Sequence, residues 1–446
     1  MKNQLFSNFK HKQLNPHSNN ELFIEDMYNI NTLNGFIQTE QTPIDLLSYL
    51  LNNSDINQII NNNCNTLSKL YKLIPYHFFN SIENAEQTRF FLLTTDNLLY
   101  ELNPNNNIFE EKYIFQTKPI IHISQNILYL FDSNNKTVVI ENQNIITIEN
   151  TPCIKFYTYD NNHIYFTTQN NPNTLYLSET CKFNYLSQNL NQYQFLTINC
   201  EDGYICQIVN LKNKIYIITQ YSIFKLNTET FSLEKLFQAE FQIYENSIFY
   251  ANDSILFFST TGLYNFNGSS IYKIIDNYLN FDKNAKFAYF NENLYILSNK
   301  YKNIVFTQKQ DSECFEKLKI ENVVDFYTIK NSNNYILCLV RDNKIDCILS
   351  NNPEDTKTNI HIQYIKFKTC FLGSDKTKQI KKITINSTGK FNLIISSDIE
   401  NNVFEISNNL TRINTCLSGN YYDFEITSSD TFRLASILIT YEEVGE

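Results

Sequence analysis

Tryptophan is absent from this chain of 446 residues, methionine occurs twice, and glycine and proline occur eight times each. So little glycine and proline excludes collagen-like and low-complexity linker compositions. No run of about 18 apolar residues occurs, and the stretch from Met1 to Asn20 lacks the apolar segment of about 7 to 15 residues that marks a signal peptide. The expectation is a soluble, non-secreted chain without a membrane anchor. The ten cysteines (Cys64, Cys153, Cys181, Cys200, Cys206, Cys314, Cys338, Cys347, Cys370 and Cys416) stand singly, and none has the C-x-x-C spacing of a zinc or dithiol centre. They read as small buried hydrophobes, and without a secretory leader no disulfide framework is expected. Basic charge is also short, with 36 Lys and Arg against 46 Asp and Glu for a net charge of -10. An unselective nucleic-acid binder shows the reverse balance.

What is abundant points to β structure. Phe (35) and Tyr (30) suit pleated, half-buried surfaces, and 67 asparagines tolerate the left-handed conformations of tight turns. Short apolar runs begin at Phe90, Ile127, Ile164, Ile215, Ile255, Leu294 and Tyr335, spaced by 37, 37, 51, 40, 39 and 41 residues. Each is followed, after a polar turn, by a second run, beginning at Leu98, Val138, Leu175, Ile223, Leu263, Ile304 and Ile345. A period near 40 with several strands per unit is that of a β-propeller blade. The inner strands of a blade meet protein on both faces, which explains runs that are continuously apolar rather than alternating. The missing Trp excludes a Trp-Asp repeat, and the scarce Gly excludes a kelch repeat. A pair of β-sandwiches is the alternative reading of the same runs.

The expected fold is therefore all-β: a propeller of about seven blades over residues 81–372, a C-terminal β-sandwich over 373–446 and a short mixed segment over 1–80. In that first segment, Leu22 to Ile37 reads as two strands around Asn34-Gly35, a good hairpin pair. Runs between Pro43 and Leu73 suit short helices. The long spacing of 51 places an insertion around Cys181 to Gln194, in a loop at one end of the propeller. The first repeat shows no leading strand, so Ile362 to Cys370 is expected to return, complete that blade and close the ring. Asn351 to Lys378 otherwise resembles a linker. From Gln379 onward six strands follow in quick succession, Ile380–Ile385, Phe391–Ser396, Val403–Ile406, Arg412–Cys416, Tyr421–Ile426 and Leu434–Tyr441. The alternation of Phe391, Leu393 and Ile395, and of Tyr422, Phe424 and Ile426, fits one buried face.

No catalytic, cofactor-binding or metal-binding residue is nominated. The six histidines (His11, His17, His77, His122, His163 and His361) form no i, i+4 pair, and His122 and His163 read as strand residues hydrogen-bonded in place. Gly373-Ser374-Asp375-Lys376-Thr377 lacks the glycine that precedes the lysine of a phosphate-binding loop. Asp132-Ser133-Asn134-Asn135-Lys136 lacks the Gly and distant Glu of a calcium loop and reads as a hairpin tip. Asn-x-Ser/Thr matches such as those at Asn52, Asn267 and Asn386 are chance in so Asn-rich a chain. No Gly-x-Ser-x-Gly elbow and no carboxylate pair emerge, so enzyme function has no positive support. The densest basic feature is Lys376, Lys378, Lys381 and Lys382, read as a solvated linker or, alternatively, as a contact for an acidic partner or DNA phosphates.

Two segments carry a resemblance. Thr261-Gly262-Leu263-Tyr264-Asn265-Phe266-Asn267-Gly268-Ser269-Ser270, followed by Ile271 to Ile275 and Asp276-Asn277-Tyr278-Leu279, looks like the Gly-Leu-Tyr-x-Phe-x-Gly blade common in bacteriophage tail propellers. The C-terminal block, with landmarks Ser418-Gly419-Asn420-Tyr421-Tyr422-Asp423-Phe424 and Leu434-Ala435-Ser436-Ile437, resembles the terminal sandwich of the tail nozzle (tail tubular protein B) and packaged-DNA-stabilisation family of short-tailed phages. Asn29 to Gly35 fits the opening of such chains. Gly and Arg are scarcer here than in that family, and residues 43–75 match nothing in it. The resemblance implies a structural protein of the virion tail, assembled in the host cytoplasm as a ring, a homohexamer, below the portal and adaptor. It further implies contacts with fibre or spike proteins, and a channel through which packaged DNA passes without sequence-specific binding. An acidic lumen would repel phosphate and let DNA slide. The rival classes are a non-viral propeller acting as a protein-interaction scaffold and a propeller enzyme acting on glycans.

Overall fold

The computed structural model describes residues 2–7, 10–11, 23–28, 30–33, 36–39, 44–46, 50, 59, 62–67, 69–80 and 85–444. Within the last range 104, 125–126, 161–162, 180–181, 252, 302, 310–314, 332–333, 342–343, 350–362, 368–371, 373–376 and 408 are left out. The chain folds into a seven-bladed β-propeller joined to a β-sandwich. Seven four-stranded antiparallel sheets form the blades, and the expected pair of runs supplies the second and third strand of every one. Their innermost strands are Leu70–Asn80, Ile120–Ser124, Ile154–Asp160, Ile205–Leu211, Ile243–Ala251, Lys286–Phe290 and Val323–Asn331. Outermost strands such as Asn144–Glu149 are largely exposed and lack the continuous apolar signal.

Burial explains the arrangement. Seven apolar clusters lie between neighbouring blades, and an eighth fills the sandwich. Each doubly buried strand, such as Ile127–Asp132, contributes to the cluster on either side of it. Asparagine supplies the turns: of fourteen non-glycine residues with positive φ among the described residues, ten are Asn. Its short side chain tolerates the left-handed region at low cost.

Closure differs from the expectation. The first blade does have a leading strand, Leu70–Asn80, which had read as partly helical. It is the seventh blade that is incomplete in sequence, and its fourth strand is Ile44–Asp45, in antiparallel register with Asp346 and Cys347. Beyond that strand, Leu46, Ile59 and Leu67 are buried in the cluster between blades seven and one. Asn63 fixes this wedge, since its Nδ2 donates to Asn107 O (2.8 Å) and its Oδ1 accepts from Phe109 N (2.8 Å) on blade one. The described residues of the 43–75 stretch thus close the ring, and Cys64–Leu67 forms a short α-helix there. Pro75 lies on an innermost strand, whose outer edge faces the channel, so its missing N–H breaks no ladder.

The segment expected to close the ring joins the sandwich instead. Gln363–Phe367 pairs with Phe23–Tyr28 on one side and Tyr422–Ser428 on the other. That sheet runs Lys10–His11, Phe23–Tyr28, Gln363–Phe367, Tyr422–Ser428, Phe391–Ser397, Asn401–Ile406. The facing sheet runs Leu410–Gly419, Lys378–Gly389, Phe432–Glu443, Phe36–Thr39, Ile30–Leu33, with Lys2–Ser7 also on Phe432–Glu443. All six expected C-terminal strands form, and Ile30–Leu33 pairs antiparallel with Phe36–Thr39 on either side of Asn34 and Gly35, which lie outside the described residues. The sandwich is nevertheless built from both ends of the chain, so the division at 80 and 373 cuts through its sheets. Tyr422 anchors it, fully buried, with its hydroxyl donating to Lys378 O (2.8 Å).

A fragment of residues 373–446 lacks the pairing partners Gln363–Phe367, Lys2–Ser7 and Phe36–Thr39. Its exposed edges leave ladder groups unpaired and apolar faces open. Expressed alone it is expected to unfold without a cooperative transition by circular dichroism. Co-expression with residues 1–45 and a C-terminal piece beginning at 360 restores one.

Candidate binding site in the propeller channel

The seven innermost strands enclose a channel, and irregularities in five of them shape its mouth. The register of inner against second strand shifts between Leu70 and Lys72, Ile154 and Phe156, Ile205 and Gln207, Ile243 and Ile248, and Val323 and Asp325. Such bulges bend a strand and re-aim the side chains that follow. All five of the residues immediately after them, Lys72, Phe156, Gln207, Ile248 and Asp325, line one cavity of about 340 Å3, together with Glu245, Asn246, Phe249 and Lys286. A second cavity of about 430 Å3 shares Phe156, Gln207, Ile248 and Phe249 with it and continues past His122 and Lys155 to Tyr250. The two cavities adjoin along these shared residues.

Its charges are unevenly matched. Lys155 Nζ pairs with Glu245 at 2.8 Å, and Glu245 also takes a hydrogen bond from Tyr204. Tyr71 donates its hydroxyl to Asp325 at 3.2 Å, across the seam between blades one and seven. Lys72 and Lys286 have no carboxylate within ion-pair distance among the described residues. Lys72 lies 5.4 Å from the centroids of both the Tyr71 and Tyr327 rings, and Lys118 sits 3.9 Å over Tyr71. Burial holds the Lys72 ammonium below its ordinary range, and the positive charges of Lys118 and Lys286 push the same way against the attraction of Asp325. The channel therefore carries three lysines against two engaged carboxylates, in a chain whose overall charge is -10.

The insertion in blade three does more than lengthen a loop. Its two short 3-10 turns, Phe183–Tyr185 and Leu190–Gln192, carry Phe183 into the gap between blades two and three. There it meets the rings of Tyr129 (4.9 Å), Tyr157 (4.9 Å) and Phe131 (5.5 Å). His122 stacks on the same cluster, and burial pushes its pKa down to about 4 although its Nε2 lies 3.4 Å from Ile154 O. The imidazole is neutral at pH 7. His163, the other strand histidine, bonds through Nδ1 to Ser178 O at 3.0 Å, and His77 to Thr88 Oγ1 at 2.8 Å.

The remaining sequence features are placed as follows. The basic cluster is not a linker where it is described: Lys378, Lys381 and Lys382 lie in the strand Lys378–Gly389, Lys378 is fully buried, and Lys381 pairs with Glu442 at 2.5 Å. Lys376, His17 and His361 lie outside the described residues. Asp132, at the end of Ile127–Asp132, accepts from Gln116 N at 3.2 Å in the segment that follows the last strand of blade one. Cys153, Cys200, Cys206, Cys338, Cys347 and Cys416 are free thiols, and burial raises Cys153 to about 11. Among the described residues no group of three or more His, Cys, Asp or Glu converges as a metal site would require, and no helix is long and apolar enough to cross a membrane.

Sequence reasoning missed the channel lysines, yet a signal was present. Lys155, Gln207, Glu245, Lys286 and Asp325 each stand eight to ten residues ahead of the second-strand run of their own repeat. Aligning the repeats on those runs gathers them into one polar column.

No family model matches the chain, and no curated protein matches it. Among solved structures it is similar to the extracellular domain of the one-component system BT4673 from B. thetaiotaomicron, with a TM-score of 0.45 and 10% identity over 88% of this chain. It spans only 58% of that domain's length. BamB from Moraxella catarrhalis (TM-score 0.39, 9% identity, 60% of this chain and 81% of that one) and the Neurospora crassa Pan2 WD40 domain (0.39, 10%, 59% and 86%) are also similar. At such identities the likeness is one of fold, and the blade count follows from strand pairing. The chain is a seven-bladed propeller carrying a sandwich made from its own two ends.

The histidine gives a pH test. With an unfolded pKa near 6.5 and a folded value of about 4, the unfolded chain takes up the proton first. Its contribution to stability is complete above about pH 6.5 and is lost as pH falls toward 4, by about 2 to 3 kcal/mol. In His122→Phe, the stability difference between pH 7 and pH 4.5 measured by urea unfolding should shrink by about 2 kcal/mol.

Proposed function

We propose that this chain is a structural subunit that assembles with copies of itself into a ring, and that the ring is the nozzle component of a bacteriophage tail. The observation that carries the reading is a pair of open sheet edges. Asn401–Ile406 ends one sheet of the sandwich and Leu410–Gly419 ends the other, adjacent in sequence and each unpaired on its outer side among the described residues. Ile399, Val403 and Leu410 project from this margin with 62%, 63% and 53% of their surface exposed. Open apolar edges favour pairing with another chain. A contact between unlike faces closes into a ring when its rotation permits.

The placement in a phage tail is supported by the sequence resemblance of Thr261 to Leu279 and of the C-terminal block. Under it, the partners are neighbouring copies in a sixfold ring, the portal and adaptor ring, and fibre or spike proteins. The location is the virion. DNA passes through the ring lumen rather than the narrow propeller channel, and cyclic repetition of a chain with net charge -10 gives a wall that repels phosphate. The proposed role is a structural one, in keeping with a sequence that nominates no nucleophile and general base. The same closed propeller would equally serve a protein-interaction scaffold, the reading that stands if no ring forms.

Sedimentation of the purified chain, followed by cryo-electron microscopy of the particle, checks the proposal. A discrete oligomer is expected, reduced to monomer by Val403→Lys with Leu410→Lys while the circular dichroism spectrum is retained. A monomer at all concentrations and its absence from any particle would remove the ring and tail assignments together.

A further inference from the structure

We propose that the mouth of the propeller channel is a binding site for a small polyanion bearing phosphate or carboxylate groups, with Lys72 and Lys286 as charged contacts and Gln207 and Asn246 as neutral donors. Four observations converge. The cavity of about 340 Å3 is within the range of small-molecule sites. Both of its carboxylates are already engaged, Glu245 by Lys155 at 2.8 Å and Asp325 by the Tyr71 hydroxyl at 3.2 Å. Lys72 and Lys286 face the same space without an ion-pair partner among the described residues. The amide of Gln207 is oriented for donation, because its Oε1 accepts from Ile208 N at 3.0 Å and leaves the NH2 group to the channel.

Packing adds selectivity. Phe156, Phe249 and Phe287 form apolar walls, and a recess with low-dielectric walls strengthens the attraction of an ammonium for an anion. The low affinity of Lys72 for its proton comes first from its burial, which the attraction of Asp325 opposes and the neighbouring charges of Lys118 and Lys286 reinforce. A multiply charged anion spanning both lysines neutralises each of them. A cation or an uncharged sugar gains nothing there.

Isothermal titration calorimetry on the full chain at low salt tests this, with pyrophosphate, citrate and inorganic phosphate as probes and glucose and spermidine as controls. Pyrophosphate or citrate should bind at one site per chain, and which of the two binds more tightly separates phosphate from carboxylate chemistry. Affinity should weaken as salt rises. Lys72→Met and Lys286→Gln should each weaken binding by about tenfold or more, the loss expected for a hydrogen bond to a charged group. Asp325→Asn should strengthen it, because it removes negative charge from the mouth. Lys286 is exposed, so its substitution leaves folding intact even if Lys72→Met does not fold. No binding of any polyanion up to about 10 mM would overturn the proposal, that being weaker than any useful affinity. So would equal weakening by the remote control Lys214→Gln, or binding untouched by Lys286→Gln and Asp325→Asn.

Discussion

A ring of seven blades has a single seam, and the other six interfaces are held in register only while that seam is shut. Here it lies between the first and last blades, whose inner strands are about 250 residues apart in sequence. Three devices shut it. Ile44–Asp45 pairs with the third strand of blade seven. Leu46, Ile59 and Leu67 cover the shared apolar cluster. The Tyr327 hydroxyl accepts from Leu73 N (2.9 Å) and donates to Leu73 O (3.1 Å), tying the two inner strands directly. Opening the seam would wet the faces of Leu73, Leu92, Ile336 and Cys338, each buried, at roughly 1.5 to 3 kcal/mol for a large apolar side chain. The channel site depends on the same closure, because Tyr71 and Lys72 stand on one side of it and Asp325 on the other.

The sandwich extends this logic to the chain termini. Phe432–Glu443 receives Lys2–Ser7 and Phe36–Thr39, and Gln363–Phe367 lies between Phe23–Tyr28 and Tyr422–Ser428. The segment that closes the ring is thereby anchored just upstream of the closing strand. Along the chain the sandwich is interrupted by the whole propeller. Contacts of such sequence separation make folding slow, since loop closure must come before the contacts that reward it.

The doubly buried second and third strands of all seven blades were legible because burial on both faces leaves no polar alternation to confuse the reading, as in Ile127–Asp132 and Gly262–Phe266. The turns were legible through asparagine. The closing strand was not, because Ile44–Asp45 has two residues and no periodicity. Leu70–Asn80 was mistaken in part because its spacing of Leu67, Leu70 and Tyr71 also fits a helix. Pairing between the two ends of the chain leaves no local trace at all. At the channel, chemistry is scattered over Lys72, Lys155, Glu245, Lys286 and Asp325, residues that meet only after closure. Charge clustered in sequence, at Lys378 to Lys382, belongs instead to a sandwich strand.

The short N-terminal strand Ile44–Asp45 latches the seam on which the ring depends, and native-state hydrogen exchange on Asp45→Pro tests this most directly. The substitution puts a residue without an N–H and with a fixed φ into the closing strand, and leaves blades one to six and the other three strands of blade seven unchanged in sequence. If the strand is the latch, protection should fall together in Ile345–Leu349 of blade seven and Leu70–Leu73 of blade one, while the blade-four strand Lys214–Thr219 keeps its slow exchange. Loss confined to the amides around residues 44 to 46, with both seam blades as protected as before, would contradict the account.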